Sequence, residues 1–143
     1  MWLRLVAPGG AGDAQAPVGV DHIAYDLPSL RALLEACAGL TAQGIVPYWC
    51  VNHGMSASLY YADPDGNQME FAVDCFPSKA DCTAYWSGLE MGQNPVGVEY
   101  DPDDWLARLR AGTPEAELLA IDAGAEVSPL RGRLETLIEQ VDP

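Results

Sequence analysis

His53-Gly54-Met55-Ser56-Ala57-Ser58-Leu59-Tyr60-Tyr61-Ala62-Asp63-Pro64-Asp65-Gly66-Asn67-Gln68-Met69-Glu70 is the stretch on which the reading of the fold turns. It reads as two short strands around a tight turn. Asp63-Pro64-Asp65-Gly66-Asn67 supplies the turn chemistry: Pro64 presets φ, Gly66 accepts positive φ, and the Asp and Asn side chains bond to nearby backbone. In the strand that follows, Met69, Phe71 and Val73 alternate with Gln68, Glu70 and Ala72. Glu70 therefore shares a face with Ala72, and a carboxylate stands where an apolar residue is expected. Upstream, Val18-Gly19-Val20-Asp21-His22-Ile23-Ala24-Tyr25 is another strand-like run, with His22 on the face of Ala24. A His and a Glu, each inside a strand and each on its less bulky face, are what a metal site built on a curved sheet needs.

Outward from these strands the order is β-α-β-β-β. After Leu27-Pro28, Ser29 caps a helix expected to run to about Gln43, and Gly44 ends it. Leu30, Leu33, Leu34, Cys37 and Leu40 fall on one face of that helix. Ile45 to Asn52 reads as a strand with Pro47 near its start, followed by strands over Ser56 to Ala62 and Asn67 to Val73. Before the module, Trp2 to Ala7 reads as a short strand and Pro8 to Pro17 as a linker. Beyond it, helices are expected over Ser78 to Trp86, Pro102 to Ala111 (capped by Asp101), Pro114 to Ala120 and Pro129 to Val141, with a loop at Gly92-Gln93-Asn94-Pro95. The last has an apolar stripe that suits ordinary packing better than partner docking. The expected division is 1–17 as strand and linker, 18–76 as the module, and 77–143 as a mostly helical extension.

Composition narrows the function. A chain of 143 residues with 49% hydrophobic residues is long enough for one packed domain. Seven basic residues against 21 acidic give a net charge of −14, which argues against nucleic acid or an anionic membrane as partner. No apolar run approaches membrane-spanning length, and the run at Met1 is too short for a secretory signal. Cys37, Cys50, Cys75 and Cys82 lack CxxC spacing and read as free thiols of a reducing cytoplasm. The acids at Asp101, Asp103 and Asp104 read as a solvated helix N-terminus rather than a cation site.

The β-α-β-β-β order, the strand His in GVDHIAY and the segment NHGMSASLYYADPDGNQMEF resemble the vicinal oxygen chelate superfamily. Within it the likeness is to the extradiol, ring-cleaving dioxygenases of biphenyl-diol and catechol type, over roughly Met1 to Gly112. The resemblance implies an α+β fold, one βαβββ module with a mixed curved sheet plus a helical C-terminal tail. It implies His22 and Glu70 as metal ligands, His53 as an acid/base that steadies bound oxygen, and Tyr60 as a hydrogen-bond partner of the catecholate. The implied metal is Fe(II), with Mn(II) or another divalent ion as alternatives, and the implied substrates are a small aromatic diol and O2. Two imidazoles and one carboxylate leave open positions for a bidentate diol and dioxygen.

Such enzymes pair two modules around one metal. Here one module is seen, and Trp2 to Ala7 looks like the closing strand of a missing first one. His22 and His53 are the only histidines in the chain, so the usual ligand set is not completed in cis. The expectations are a homodimer sharing ligands, entry of His53 into the metal's ligand set, or an incomplete site. Other readings are a glyoxalase-like metal-dependent isomerase or lyase, and a metal-free aromatic-binding or inactive relative. Tyr60 and Tyr61 are both strand formers, and one of them must pack.

Overall fold

The computed structural model describes residues 2–5, 20–88, 94–122 and 124–131. Six strands form one sheet: β1 (Trp2–Leu5), β2 (Val20–Asp26), β3 (Trp49–Asn52), β4 (Ser56–Ala62), β5 (Gln68–Asp74) and β6 (Val98–Glu99). The helices are α1 (Leu30–Thr41), α2 (Lys79–Trp86), α3 (Pro102–Arg110) and α4 (Glu115–Leu119). The sheet order is β1-β2-β5-β4-β3-β6. β2 and β5 run parallel; the other neighbours are antiparallel. This is the α+β architecture expected from the sequence, with β2-α1-β3-β4-β5 as the βαβββ module.

Alternation along the strands gives the sheet two different faces. Ala57, Leu59 and Tyr61 of β4 and Met69, Phe71 and Val73 of β5 turn toward Leu30, Leu33, Leu34 and Cys37 of α1, and the same core takes in α3 and α4. Tyr61 packs in this core, and Tyr60 packs with Trp49 and Val51 on the other face. The Ser29 hydroxyl accepts from the Ala32 amide (3.1 Å) at the start of α1, as the sequence predicts. A carboxylate from the tail joins it: Glu115 accepts from the Leu30 and Arg31 amides at 3.3 Å each, placing negative charge at the positive end of α1. At the other end Gly44 adopts φ +81°, and the Ile45 amide turns back to the Leu40 carbonyl (3.0 Å).

That C-terminal cap explains one difference from the sequence reading. Ile45 and Val46 are exposed and lie outside the sheet, and Pro47 has no amide to give a ladder, so β3 starts only at Trp49. β6 is an addition: two residues, too short for a periodic signal, pair with Val51 and Asn52. The helix expected from Pro129 does not begin there. Residues 129–131 are non-helical, and the remainder of that segment lies outside the described residues, as does the linker from Pro8 to Pro17. The four cysteines are free thiols. Among the described residues no helix is long and apolar enough to cross a membrane.

The core under α1 sets the stability of the module. Leu33 is fully buried there, whereas Val46 is 64% exposed. Leu33→Ala is expected to cost about 2–5 kcal/mol through lost burial and a residual cavity. Val46→Ala should stay within about 0.5 kcal/mol. Urea unfolding of both variants checks the contrast.

Candidate active site

The face of the sheet turned away from α1 carries the site, beside a cluster of Trp49, Val51 and Tyr60. In β4 and β5 the register sets Tyr60 opposite Glu70 and Ser58 opposite Ala72. Trp49 lies opposite Tyr60 on the other flank, and Ala24 opposite Glu70 in the parallel pair. A row of side chains, Ala24-Glu70-Tyr60-Trp49, therefore runs across four strands on one face, with neighbours close enough to touch. His22 is two residues before Ala24 and so shares this face, one pleat away. Its Nε2 reaches Glu70 Oε2 at 2.9 Å, and both side chains are buried.

His53 comes from the β3–β4 hairpin. Its amide donates to the Ser56 carbonyl (2.8 Å), and the Gly54 amide donates to Asn52 Oδ1 (2.8 Å). Gly54 has φ +82°, and a Cβ there would meet the Tyr85 hydroxyl at 1.9 Å, so only glycine fits this turn against α2. With the hairpin so fixed, His53 Nε2 stands 3.2 Å from the Tyr60 hydroxyl and Nδ1 lies 2.5 Å from the Val96 carbonyl oxygen. Trp49 stacks on Tyr60 with ring centroids 4.9 Å apart, and the His22 ring meets the Tyr60 ring edge-on. All four residues singled out in the sequence thus gather on one face around Tyr60.

Electrostatics separates this face from ordinary strand surface. Burial alone would push the Glu70 carboxyl up. Hydrogen bonds from His22 and Ser58, with the field of His22 and His53, outweigh burial and hold it below its ordinary value. Ser58 was not anticipated, although it has the same parity in β4 as Tyr60. Trp49 and the Val96 carbonyl were also missed. The first depends on strand register, and the second on a backbone atom in a loop. Burial pushes the Cys50 and Cys75 thiols up to about 12, which keeps these two protonated at neutral pH.

The 2.9 Å between His22 Nε2 and Glu70 Oε2 is that of a hydrogen-bonded pair, and imidazole and carboxylate are donor types that divalent ions accept. Among the described residues there is no cluster of three or more His, Cys, Asp or Glu that could hold an ion. His53 is turned to Tyr60 and Val96 instead. His22 and Glu70 are thus two donors of suitable type, and the described residues supply no third beside them.

Glu70 gives a pH test of the site. Its folded-state pKa lies below the ordinary value of 4.5. Its contribution to stability is therefore fully present above the unfolded pKa and is lost as pH falls through the folded one. The unfolding free-energy difference between the native chain and Glu70→Gln should shrink between pH 7 and pH 3. A difference that is constant over that range would mean that Glu70 titrates alike in both states.

Over 111 residues, 78% of its length, the chain is 40% identical to biphenyl-2,3-diol 1,2-dioxygenase 2 of Rhodococcus globerulus. Over 113 residues it is 37% identical to biphenyl-2,3-diol 1,2-dioxygenase 3 of the same organism. The chain spans 58% and 60% of the length of these two relatives. No family model and no solved structure matches it. With that identity over most of its length and a βαβββ sheet beneath it, the chain is a homologue of extradiol dioxygenases of the vicinal oxygen chelate superfamily.

Proposed function

We propose that this face is the active site of a ring-cleaving extradiol dioxygenase, acting on a catechol-type diol with O2. The observation that carries the reading is the buried His22–Glu70 pair on the same face as the His53–Tyr60 pair. A buried ion pair of this kind adds little to stability, because desolvation offsets much of its attraction. Its placement beside a second imidazole and a phenol suits chemistry better than folding. The homology to biphenyl-2,3-diol dioxygenases supports the substrate class.

In this reading His22 and Glu70 hold a divalent metal, Fe(II) or alternatively Mn(II), whose open positions would bring diol and dioxygen together. The chain's own groups do the rest. On substrate binding Tyr60 exchanges its bond to His53 for one donated toward the diol oxygens and, stacked on Trp49, offers an aromatic wall to the substrate ring. His53 takes the substrate hydroxyl proton at Nε2, the nitrogen that faces Tyr60, and returns it later in the reaction. Burial of His22, Glu70 and Tyr60 excludes water and strengthens these interactions. A further ligand comes from outside the pair, and we assign it to a second copy of the chain in a homodimer.

Protein prepared without oxygen and loaded with Fe(II) tests the reading by oxygen uptake with a panel of catechols. His22→Ala and Glu70→Ala should each abolish tight metal binding. His53→Ala should keep the metal and lose about 10²–10⁴-fold in turnover. Tyr60→Phe should lose a hydrogen bond worth roughly 1 kcal/mol, or up to about 3 against a charged catecholate. No oxygen uptake by the native chain with any catechol would defeat the proposal. Loss of metal in His53→Ala would move that residue into the ligand set.

Assembly is checked separately. Sedimentation at micromolar concentration should give a dimer, and a stable monomer that still binds metal tightly would overturn the shared-ligand assignment.

A further inference from the structure

His53 is held from the side away from Tyr60 by a turn more than forty residues further along. Its Nδ1 meets the Val96 carbonyl at 2.5 Å, and a carbonyl only accepts, so Nδ1 carries the hydrogen. In the neutral ring Nε2 then holds the lone pair and accepts from the Tyr60 hydroxyl at 3.2 Å. Which nitrogen can take a proton is thus decided by where the Val96 carbonyl points.

Asn94 decides that. Its Oδ1 accepts from the Gly97 amide (2.7 Å) and the Val96 amide (3.3 Å), while its Nδ2 donates to the Gly97 carbonyl (3.2 Å). The side chain is 7% exposed, so these bonds form in a dry setting where they are strong and costly to lose. The turn also presses onto β3. Gly97 has φ +121°, and a Cβ there would stand 2.3 Å from the Asn52 carbonyl oxygen. From outside, the Ser128 amide donates to the Gly97 carbonyl (2.8 Å). The Ser128 hydroxyl accepts from Trp49 Nε1 (3.0 Å) and donates to Glu99 (2.9 Å). The carbonyl is held by its own turn, by the strand below it and by a segment of the tail.

We propose that Asn94 is a positioning residue: through the Val96 carbonyl it keeps His53 in the Nδ1–H tautomer, with Nε2 as the proton acceptor beside Tyr60. The consequence for turnover rests on the dioxygenase reading above, whereas the tautomer is measurable without metal or substrate.

The test is long-range proton–nitrogen correlation NMR on protein labelled at histidine nitrogens, at a pH where the imidazoles are neutral. The chain has two histidines, so His53→Gln assigns the signals. The native chain should show a protonated-type Nδ1 and an unprotonated-type Nε2 for His53. Asn94→Ala should convert His53 to a mixture containing the Nε2–H form. Asn94→Asp, which keeps the Oδ1 acceptor, should restore the Nδ1–H form. In the Fe(II)-loaded protein, kcat of Asn94→Ala should fall in proportion to the fraction converted, with KM little changed. An Nε2–H tautomer in the native chain overturns the proposal, even if Asn94→Ala does not fold. A folded Asn94→Ala protein with His53 wholly Nδ1–H overturns it as well. Failure of the native chain to consume oxygen would remove the dioxygenase reading and leave the tautomer result standing.

Discussion

The parallel pairing of β2 with β5 is the constraint from which the rest of the arrangement follows. Parallel neighbours cannot be joined by a tight turn, so the chain between them must cross over. Here the crossover is α1 followed by the β3–β4 hairpin, and α1 covers one face of the sheet with leucines. The other face is thereby left to a mixed set, with Trp49, Val51 and Tyr60 packed beside His22, Glu70 and Ser58. The register of the pair sets Ala24 beside Glu70, and this small neighbour leaves space for His22 to reach the carboxylate from one pleat away. A slip of one residue would turn Glu70 under α1 and bring Met69 and Phe71 to the opposite face. The apolar packing that holds the register also holds the imidazole–carboxylate contact.

Much of this was legible in the sequence because both faces of β4 and β5 announce themselves. Period-2 alternation placed Glu70 opposite in face to Met69 and Phe71. The Asp63–Asn67 turn forms as its residues dictate, with Gly66 at φ +98° and Asn67 bonded to the Asp63 carboxylate at 2.7 and 2.8 Å. Ser29 and Asp101 cap α1 and α3 as expected, and Ser78, expected as the first residue of α2, caps it. Three features outside that reading share a cause. β6 at Val98–Glu99, the Val96 carbonyl and the contact of Ser128 with Trp49 all depend on where distant segments settle. Neither periodicity nor local turn chemistry encodes that. The start of β3 was misjudged for a local reason, since Ile45 serves the end of α1 and Pro47 cannot join a ladder.

The site is also held by aromatic packing, which fixes orientation without adding charge. Tyr60 contacts Trp49 face to face and both imidazoles edge-on, and Tyr48 lies beside it while its own hydroxyl meets Gln68 at 2.5 Å. Rings arranged in this way resist rotation of any one member, so hydrogen bonds to Tyr60 and His53 are made without much further ordering. A polar cluster buried against such a wall is rigid, and its dielectric surroundings are those of the protein rather than of water.

The contact between the Asn94–Gly97 turn and Ser128 bears on how this architecture can be cut, grafted or recombined. The four candidate residues all lie between β2 and β5, which makes residues 18–76 look like a portable unit. The backbone acceptor of His53 lies outside it, at Val96, and the segment bracing that acceptor lies further on, at Ser128. Glu115 likewise reaches back to the first turn of α1. A breakpoint after β5 would keep every candidate side chain yet strip His53 of its carbonyl and α1 of its carboxylate. The smallest inheritable piece that preserves the geometry runs from β2 through Ser128, so the tail belongs to the unit of exchange.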